Sequence, residues 1–454
     1  MNSPNYFFAD LPPEAMLSPS MITEACQALK RNRERYLAGR STGSLVAVLS
    51  SVSEGWLQAD NRFRKLALEL GPKETGFSRI TLEKGLDNFF RQLTRGNLHA
   101  LLIQELGDAQ RLDAMTTGAG EKADRAAMAV GPGFLVQVAA GNLPNPTWMS
   151  IVLGLLARSA QFVKCASGAA FLPRLFAHSI YEADAKLGAC LEIAEWRGGN
   201  ADLEAALFAE ADCVTATGSD ETLAAIRSRL PIKTRFLGYG HRVSFGFVAS
   251  EVLHGLHSRK IVSRAADDVV AWNQLGCLSP HVIYVQTGGA ASPEQFAGLV
   301  ADELEQREAI EPRGELATEH TATIASRRGF YEVRAAHSPD TALWHSKNST
   351  AWTVVHEVDA RFQFSCLNRF IYVKGVRDLA EALRNAELVR GLVSTVGLAV
   401  PEHQIQELAE QLARWGATRV CPLGRMQNPP LTWRHDGRPA LGDLMTWTDL
   451  ESEF

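Results

Sequence analysis

From Gly131 onward, short apolar runs alternate with segments of helical periodicity, and this alternation limits the fold more than any other feature of the chain. Residues 134–140 and 161–165 have the length and composition of buried strands. Residues 148–158 and 171–187 space their apolar side chains three and four apart, as helices do. Strands and helices that alternate in this way form βαβ units, whose strands pair in parallel. The sequence therefore predicts an α/β fold with mainly parallel sheets.

The alternation of strands and helices continues to residue 422 and predicts two α/β domains, with a boundary near residue 248. A chain of 454 residues is too long for one compact core, which agrees with this division. Further strands are predicted at 191–194, 213–216, 234–237, 243–248, 281–285, near 354, and at 370–373, 393–398 and 419–422. Further helices are predicted at 201–211, 221–230, 293–307, 379–389 and 404–415, with a helical or irregular stretch up to Arg328.

Both ends of the chain differ from this α/β region. Residues 1–110 are predicted to be a helical N-terminal segment, with helices at 21–37, 45–59, 63–70 and 80–106. The tail from Arg425 to Phe454 contains Trp433 and Trp447 and is too apolar for a free end. We expect it to pack on the first domain or on a neighbouring subunit of a homo-oligomer. The predicted domains are thus 1–248, 249–424 and the tail 425–454.

Composition narrows the class of protein. A net charge of −5 and a pI near 6.2 give no basic surface, so we expect no nucleic acid partner. The seven cysteines are scattered without CxxC spacing, which favours reduced thiols in the cytoplasm and no metal site. No run approaches the about 20 apolar residues that span a membrane, and no secretory signal is visible. The expected location is the cytoplasm.

Cys277 stands at a junction between a helical pattern and a strand. An amphipathic segment runs to Gly276, and Pro280, three residues after Cys277, forces the backbone into an extended apolar run. Glycine lets a substrate approach the backbone closely, which suits a nucleophile at the next residue. A free cysteine is more often a small inert apolar residue, so the position alone leaves both interpretations open.

Three further features follow predicted strands, at the edge where parallel sheets bind ligands. Asn142 lies in a Pro-rich turn, where its amide would suit an oxyanion or simply cap a helix. Lys164 ends the next strand and Ser167 follows it; such a lysine is most often a surface charge. Gly218 and Ser219 precede a helix, where they would suit a phosphate or form an ordinary turn and N-cap.

Several familiar sites are absent from the sequence. Gly238 and Gly240 begin a dinucleotide fingerprint, but Val243 breaks the GxGxxG pattern. His254 and His257 share a helix face without a third ligand, so they do not predict a metal site. No GxSxG elbow is present, which disfavours a serine hydrolase.

The order of Asn142, Lys164, residues 217–219 and Cys277 resembles the aldehyde dehydrogenase superfamily. More narrowly, several segments are similar to the LuxC-type acyl-CoA reductases, the fatty acid reductases of bacterial luminescence. These segments read Val163-Lys164, Thr217-Gly218-Ser219, Gly240-His241-Arg242-Val243, Gln274-Leu275-Gly276-Cys277-Leu278-Ser279-Pro280, Leu367-Asn368-Arg369 and Gly424-Arg425-Met426-Gln427. The resemblance spans roughly residues 130–440 and implies an aldehyde dehydrogenase-like fold with two Rossmann-like domains.

The resemblance also implies roles for the candidate residues. Cys277 would attack an acyl thioester, and Asn142 with the Cys277 N–H would hold the oxyanion. Lys164 and Ser167 would contact the adenosine ribose of a nicotinamide cofactor, and Gly218 and Ser219 its pyrophosphate. The acyl donor would be an acyl-CoA or an acylated carrier or synthetase protein.

Two departures from the oxidising aldehyde dehydrogenases are informative. Residues 237–241 hold no carboxylate where those enzymes carry a general-base Glu, which suits a reductase that must protect its thioester from water. Residues 362–367 lack the Glu that would hold the nicotinamide ribose. Around Lys164 a cation and a hydroxyl stand without a carboxylate, so we expect NADPH, with NADH as the alternative. Aldehyde oxidation and an inactive scaffold are the alternative functions.

Overall fold

The computed structural model describes residues 5–12, 14–118 and 125–451, and these group into two compact units. Unit 1 contains the described residues of 1–75, 86–240 and 430–454, and unit 2 contains residues 76–85 and 241–429. The division after residue 240 differs from the predicted boundary at 248. The strand at 243–248 pairs with strands of unit 2 on both sides, and this pairing carries it into that unit.

The helical N-terminal segment is present, and its helices begin at recognisable caps. Ser18 caps the first helix and Pro19 opens it, an arrangement that removes an unsatisfied N–H from the first turn. The predicted helix at 80–106 is two helices, because residues 91–94 leave the helical path. The helices are α1 (Pro19–Tyr36), α2 (Thr42–Trp56), α3 (Arg62–Thr75), α4 (Arg79–Phe90) and α5 (Arg95–Leu106).

Unit 1 continues with a five-stranded parallel sheet and a two-stranded antiparallel ribbon. Its further elements are β1 (Arg125–Val130), β2 (Phe134–Val138), α6 (Asn145–Leu156), β3 (Ala160–Cys165), α7 (Phe171–Ala183), α8 (Ala185–Gly188), β4 (Leu191–Glu195), α9 (Ala201–Ala209), β5 (Cys213–Thr217), α10 (Asp220–Arg227) and β6 (Arg235–Tyr239). The sheet has the order β4-β3-β2-β5-β6, a doubly wound arrangement whose strand order reverses between β2 and β5.

Both faces of this sheet are covered by apolar helices. On one face, Ile22 and Cys26 of α1 pack with Leu207 of α9 against the sheet. A separate stack of aromatic rings forms where Trp56 lies parallel to Phe90 at 4.7 Å between ring centroids. A parallel sheet covered on both faces explains why its strands are continuous apolar runs.

Unit 2 is built on a seven-stranded sheet. The elements are β7 (Val243–Val248), α11 (Gly255–Val270), β8 (Pro280–Gln286), α12 (Pro293–Ile310), α13 (Thr318–His337), β9 (Thr341–His345), β10 (Thr353–Glu357), β11 (Phe370–Val376), α14 (Leu379–Asn385), β12 (Val393–Ala399), α15 (Ile405–Trp415) and β13 (Arg419–Pro422). The sheet has the order β13-β12-β7-β8-β11-β10-β9, and its strands are parallel except the edge strand β9, which runs antiparallel to β10. The predicted α/β class with mainly parallel sheets and a helical start is confirmed.

The tail forms the last strand, β14 (Thr446–Glu451), which pairs with β1 within unit 1. Arg235 adds to this attachment by donating to the carbonyl oxygen of Met445 at 3.0 Å. Neither β1 nor β14 is among the strands predicted from the sequence.

Candidate active site

In unit 1, the candidate cofactor residues lie at one edge of the parallel sheet. Val138 of β2 stands opposite Lys164 of β3 on one side and Ala216 of β5 on the other. The loops after β2, β3 and β5 therefore leave the sheet at the same edge, where the strand order reverses. In open α/β sheets this is the place where ligands bind.

The loops after β2 and β3 are packed together. The N–H of Ala139 donates to the carbonyl oxygen of Lys164 at 2.9 Å. A Cβ at Gly141 would lie 3.1 Å from the Cβ of Ala166, so a larger residue would press the two loops apart. This contact fixes the backbone immediately before Asn142, whose side chain is exposed. The structure thus brings Asn142 and Lys164 to neighbouring loops of unit 1.

Lys164 is a cation inside the protein, with 5% of its surface exposed. Its ammonium group lies 5.7 Å from the centre of the Trp196 ring, and burial lowers its pKa. Among the described residues its side chain makes no hydrogen bond and no ion pair within 4 Å. A buried cation that faces an aromatic ring and makes no hydrogen bond or ion pair among these residues fits an anionic or hydroxyl-bearing ligand, such as the adenosine end of a nicotinamide cofactor.

Ser167 and Gly168 form the turn beyond Lys164. The N–H of Ala169 donates to the carbonyl of Ala166 at 3.0 Å, and Gly168 adopts a φ of 78°, which favours glycine. Ser167 is exposed at this turn. Its hydroxyl is thus presented at the same edge as the Lys164 ammonium.

Gly218 and Ser219 lie between β5 and α10, and both have partners in unit 1. The Gly218 N–H donates to the carbonyl of Tyr239 at 3.2 Å, and the Ser219 hydroxyl accepts from the N–H of Thr222 at 3.3 Å as the cap of α10. The first turn of this helix carries Asp220 and Glu221. Two carboxylates at this helix start oppose the anion binding that the sequence suggested for it.

Asp220 also lies against the segment that lacks the general-base Glu. A Cβ at Gly240 would lie 2.5 Å from Oδ1 of Asp220. This neighbour is not predictable from the sequence, because twenty residues separate the two positions along the chain.

In unit 2, the backbone before Cys277 is held in a rare conformation. Helix α11 ends at Val270, earlier than the predicted junction at Gly276. Trp272, Asn273 and Gln274 then adopt φ values of 50°, 52° and 64°, in the left-handed region. Such residues cost about 1–3 kcal/mol each and persist only where their surroundings hold them.

All three left-handed residues are anchored by buried contacts. The Trp272 ring fills the space beside Gly85, where a Cβ would lie 2.1 Å from it. Asn273 donates to the carbonyl of Arg313 at 2.8 Å and accepts from Nε of Arg369 at 3.1 Å. Gln274 accepts from the Phe370 N–H at 2.8 Å and donates to the Phe370 carbonyl at 2.9 Å. The loop is thereby tied to the start of β11.

The residues around Arg369 repeat this conformation. Leu367, Asn368 and Arg369 have φ values of 63°, 56° and 66°. Arg369 is 1% exposed and also donates to Glu308 at 2.9 Å and to the carbonyl of Glu311 at 2.8 Å. Burial lowers its pKa to about 10. In the sequence this segment stands out only as part of the family resemblance, and its contact with Asn273, 96 positions earlier, is not visible there.

The segment Gly424–Gln427 completes the surroundings of Cys277. A Cβ at Gly276 would lie 2.7 Å from the side-chain amide of Gln427. Gln427 donates from Nε2 to the Ser279 hydroxyl, and the Ser279 N–H donates to the Gly276 carbonyl at 2.9 Å. Asp268 of α11 accepts from the Met426 N–H at 2.9 Å, which holds the segment against the helix.

Cys277 itself is partly buried. Its carbonyl oxygen accepts a hydrogen bond from the Ser244 hydroxyl at 2.7 Å, and Ser244 is fully buried in β7. The same hydroxyl accepts from the Thr395 N–H of β12 at 3.1 Å. The peptide of Cys277 is thereby fixed to the centre of the sheet.

His281, four residues beyond Cys277, is a neutral imidazole. Burial lowers its pKa to about 4, with a smaller effect from His241. Its Nδ1 accepts from the N–H of Ser365 at 3.0 Å, so the neutral ring carries its proton on Nε2. Phe362 and Phe364 lie at 6.1 Å from its ring centre. His281 is therefore a hydrogen-bond donor at neutral pH and a poor acceptor of a proton from water.

Neither a metal site nor a membrane-spanning helix is found in the described parts of the chain. Within residues 5–12, 14–118 and 125–451, no group of three or more His, Cys, Asp or Glu side chains could hold a metal ion. In the same ranges no helix is long and apolar enough to cross a membrane.

Comparison with known proteins identifies the family. The family model described as acyl-CoA reductase (LuxC) matches residues 37–447. The long-chain acyl-protein thioester reductase 2 of Photobacterium leiognathi is 22% identical over 70% of this chain, and the match spans only 64% of that protein's length. The long-chain acyl-protein thioester reductase of Aliivibrio fischeri is 22% identical over 96% of this chain and 87% of its own.

A solved structure supports the fold. The NAD-dependent benzaldehyde dehydrogenase of Corynebacterium glutamicum superposes with a TM-score of 0.71 at 13% identity, over 96% of this chain and 91% of its own. This likeness shows the aldehyde dehydrogenase fold, as the sequence predicted. The family match covers most of the chain, and the protein belongs to the LuxC family of acyl-CoA reductases.

Proposed function

We propose that this protein reduces an acyl thioester to an aldehyde through an acyl-enzyme on Cys277, with a nicotinamide cofactor as reductant. The observation that carries the proposal is the convergence of two segments, those of Arg369 and Gln427, on the loop of Cys277. Asn273 binds Arg369, and Gly276 packs against Gln427. Holding a strained loop from two sides supports a thiol of fixed position, which nucleophilic catalysis requires.

The proposed reaction balances as two steps on the cysteine. The Cys277 thiolate attacks the acyl carbonyl, a new C–S bond forms, and the donor thiol leaves with a proton from solvent. When a nicotinamide cofactor is bound, the same carbonyl carbon would accept a hydride from it. The resulting tetrahedral adduct releases the aldehyde and returns the thiolate. By family resemblance, we assign Asn142 as a side-chain donor to the oxyanion in each step.

The surroundings of Cys277 in unit 2 support reduction over hydrolysis. The acyl-enzyme survives until the hydride arrives only if no group activates water beside it. His281 is neutral with its proton on Nε2, so it is unsuited to accept one from water. Residues 237–241 supply no carboxylate of their own.

We propose NADPH as the cofactor, held at the edge of the unit 1 sheet by Lys164 and Ser167. The ammonium of Lys164 is buried and has no hydrogen bond or ion pair within the described part of the chain, which supports an anionic group at this point, and a 2′-phosphate provides one. Gly218 and Ser219 are assigned to the pyrophosphate only by resemblance. The acyl donor is a thioester of CoA or of a protein, as the family description and the names of the relatives suggest.

The test is a single-turnover experiment with acyl-CoA of several chain lengths and no cofactor. We expect close to one CoA released per active subunit and then a phase slower by about 10²–10⁴-fold, the usual effect of a missing general base. Intact-mass analysis should place the acyl group on Cys277, and added NADPH should discharge it to aldehyde. Cys277→Ala should abolish the burst, while Cys366→Ala, a change at another partly buried thiol, should keep it.

Other outcomes would point elsewhere. Steady release of fatty acid at the rate of reduction would contradict the proposed protection from water. Oxidation of aldehydes in the absence of any thioester reduction would favour an aldehyde dehydrogenase. Loss of every reaction with cofactor binding retained would favour a scaffold.

A further inference from the structure

The strand next to Lys164 ends in an acidic residue, Glu195. It stands opposite Cys165 in the parallel pair of β3 and β4, one position beyond Lys164. In dinucleotide-binding sheets, an acidic residue near such a strand end binds the free 2′-OH of NAD and repels a 2′-phosphate. By position alone, Glu195 would therefore favour NADH.

The hydrogen bonds of Glu195 point to a different task. Its Oε1 accepts from the N–H of Gly168 at 2.6 Å, and its Oε2 accepts from the N–H of Ala170 at 3.1 Å. Both oxygens therefore hold the turn that carries Ser167. Two charge-assisted bonds of this kind stabilise a loop well, and they orient the carboxylate towards the backbone.

Arg197 lies two residues beyond Glu195, in the loop between β4 and α9. Its side chain is exposed, and it makes no hydrogen bond or ion pair with any residue in the described part of the chain. The next residue, Gly198, is close to Lys164, because a Cβ at position 198 would lie 3.9 Å from the Lys164 ammonium nitrogen. The loop thus places Arg197 close enough to Lys164 for its long side chain to reach the same ligand.

The other acidic residue near Lys164 is engaged elsewhere. Glu204 of α9 accepts from the Gly199 N–H at 2.8 Å through Oε1 and forms an ion pair with Arg229 through Oε2. Its charge is thereby shared with the loop backbone and another guanidinium. Both carboxylates thus have partners of their own, whereas Lys164 and Arg197 make no hydrogen bond or ion pair with the described residues.

From these contacts we infer that Arg197 joins Lys164 in binding the 2′-phosphate of NADPH, and that Glu195 is a positioning residue which holds the Ser167 turn. The inference rests on the proposed use of a nicotinamide cofactor. A guanidinium is suited to this role because its planar N–H groups match two phosphate oxygens at once.

The test measures binding to the full chain by titration calorimetry, without any acyl donor. The probes are 2′,5′-ADP, which carries the 2′-phosphate, and 5′-AMP, which lacks it, followed by NADP⁺ and NAD⁺. Arg197→Ala should lower the affinity for 2′,5′-ADP and NADP⁺ by roughly 10–100-fold, the usual effect of losing a charged hydrogen-bond pair. The affinities for 5′-AMP and NAD⁺ should remain almost unchanged. Arg227→Ala, at an exposed arginine at the far end of α10, should change neither.

Glu195→Ala separates the two roles of the carboxylate. If Glu195 is a positioning residue, Glu195→Ala should lower the affinities for 2′,5′-ADP and 5′-AMP by a similar factor, because the Ser167 turn that serves both ligands becomes looser. Selective loss of 5′-AMP and NAD⁺ binding would instead show a ribose contact and overturn the assignment of Glu195. Unchanged 2′,5′-ADP binding in Arg197→Ala, or equal loss of both probes, would overturn the assignment of Arg197.

These outcomes are distinct from those that test the proposed reaction. A protein that reduces thioesters with NADH and does not distinguish 2′,5′-ADP from 5′-AMP would contradict this inference and keep the proposed reaction. A protein whose 2′,5′-ADP binding depends on Arg197, but which forms no acyl-enzyme, would contradict the reaction and keep the inference.

Discussion

Arg369 donates from Nε to Oδ1 of Asn273 at 3.1 Å and thereby joins two runs of left-handed backbone, residues 272–274 and 367–369. Both residues are buried, with 2% of Asn273 and 1% of Arg369 exposed. Two strained segments that support each other in this way act as one rigid base for the loop of Cys277.

The first prediction concerns this pair. Asn273→Ala should lower the unfolding free energy by about 1–3 kcal/mol, because it removes the partners of the buried Arg369 Nε and of the Arg313 carbonyl. It should slow acyl transfer to Cys277 by about 10²-fold as the loop shifts, and leave 2′,5′-ADP binding unchanged. Stopped-flow CoA release measures the rate. Asn385→Ala removes another side-chain hydrogen bond in unit 2 and serves as the control; an equal loss in both variants would contradict a specific role for Asn273.

The second prediction concerns the space beside Gly276. Gly276→Ala places a methyl group 2.7 Å from the Gln427 amide, so the Cys277 loop or the Gln427 segment must move. We expect a lower melting temperature and slower acylation, with partial recovery in Gly276→Ala/Gln427→Ala. Gly329→Ala, at a helical position with no atom within 4 Å, should leave acylation unchanged and raise the stability of its helix by up to about 1 kcal/mol. Normal acylation by Gly276→Ala would mean that this packing is unnecessary for catalysis.

The third prediction tests Asn142. If its amide stabilises charge that exists only in the tetrahedral adduct, Asn142→Ala should lower kcat by about 10²–10³-fold with little change in thioester affinity. Steady-state kinetics with a saturating cofactor separates kcat from KM. A variant with nearly normal kcat would show that Asn142 serves only as a turn residue.

The fourth prediction uses His281. Its pKa is about 4 in the folded protein and near 6.5 when exposed, so the unfolded state binds the proton more tightly. The stability from a neutral His281 is complete above pH 6.5 and is lost as the pH falls towards 4. His281→Gln, which keeps an acceptor for the Ser365 N–H, should flatten the decline in melting temperature between pH 6.5 and 4. The exposed His320→Gln should not; an unchanged profile in His281→Gln would contradict the buried neutral state.

Most of the fold follows from periodicity in the sequence. The strands at 161–165 and 370–373 were predicted because burial on both faces of a parallel sheet requires continuous apolar runs, which few other structures need. Strands β1 and β14 have no such signal. All residues of β14 are exposed, so no buried face imposes an alternation on its sequence. Strand β9 lies at a sheet edge, where the pattern is also weak.

Part of the candidate site can be proposed from the sequence. Cys277, Asn142 and Lys164 are such candidates, because strand ends and their order along the chain are visible in the sequence. The anchors of the Cys277 loop were not predictable in the same way. Residues such as Trp272 and Leu367 seldom adopt positive φ, and only long-range contacts hold them there. The role of Glu195 is not visible in the sequence, because its partners, Gly168 and Ala170, lie in the segment that follows a different strand, β3.

The pairing of β1 with β14 also constrains the order in which the protein can fold during its synthesis. Residues 430–451 leave the ribosome only after all of unit 2, yet they supply the partner strand of β1 and the carbonyl that Arg235 binds. Domains commonly fold as they emerge, with the N-terminal one first. Here the unit that is begun first is finished last, and until β14 is made one edge of β1 lacks its partner strand, which is the kind of surface that pairs with other chains.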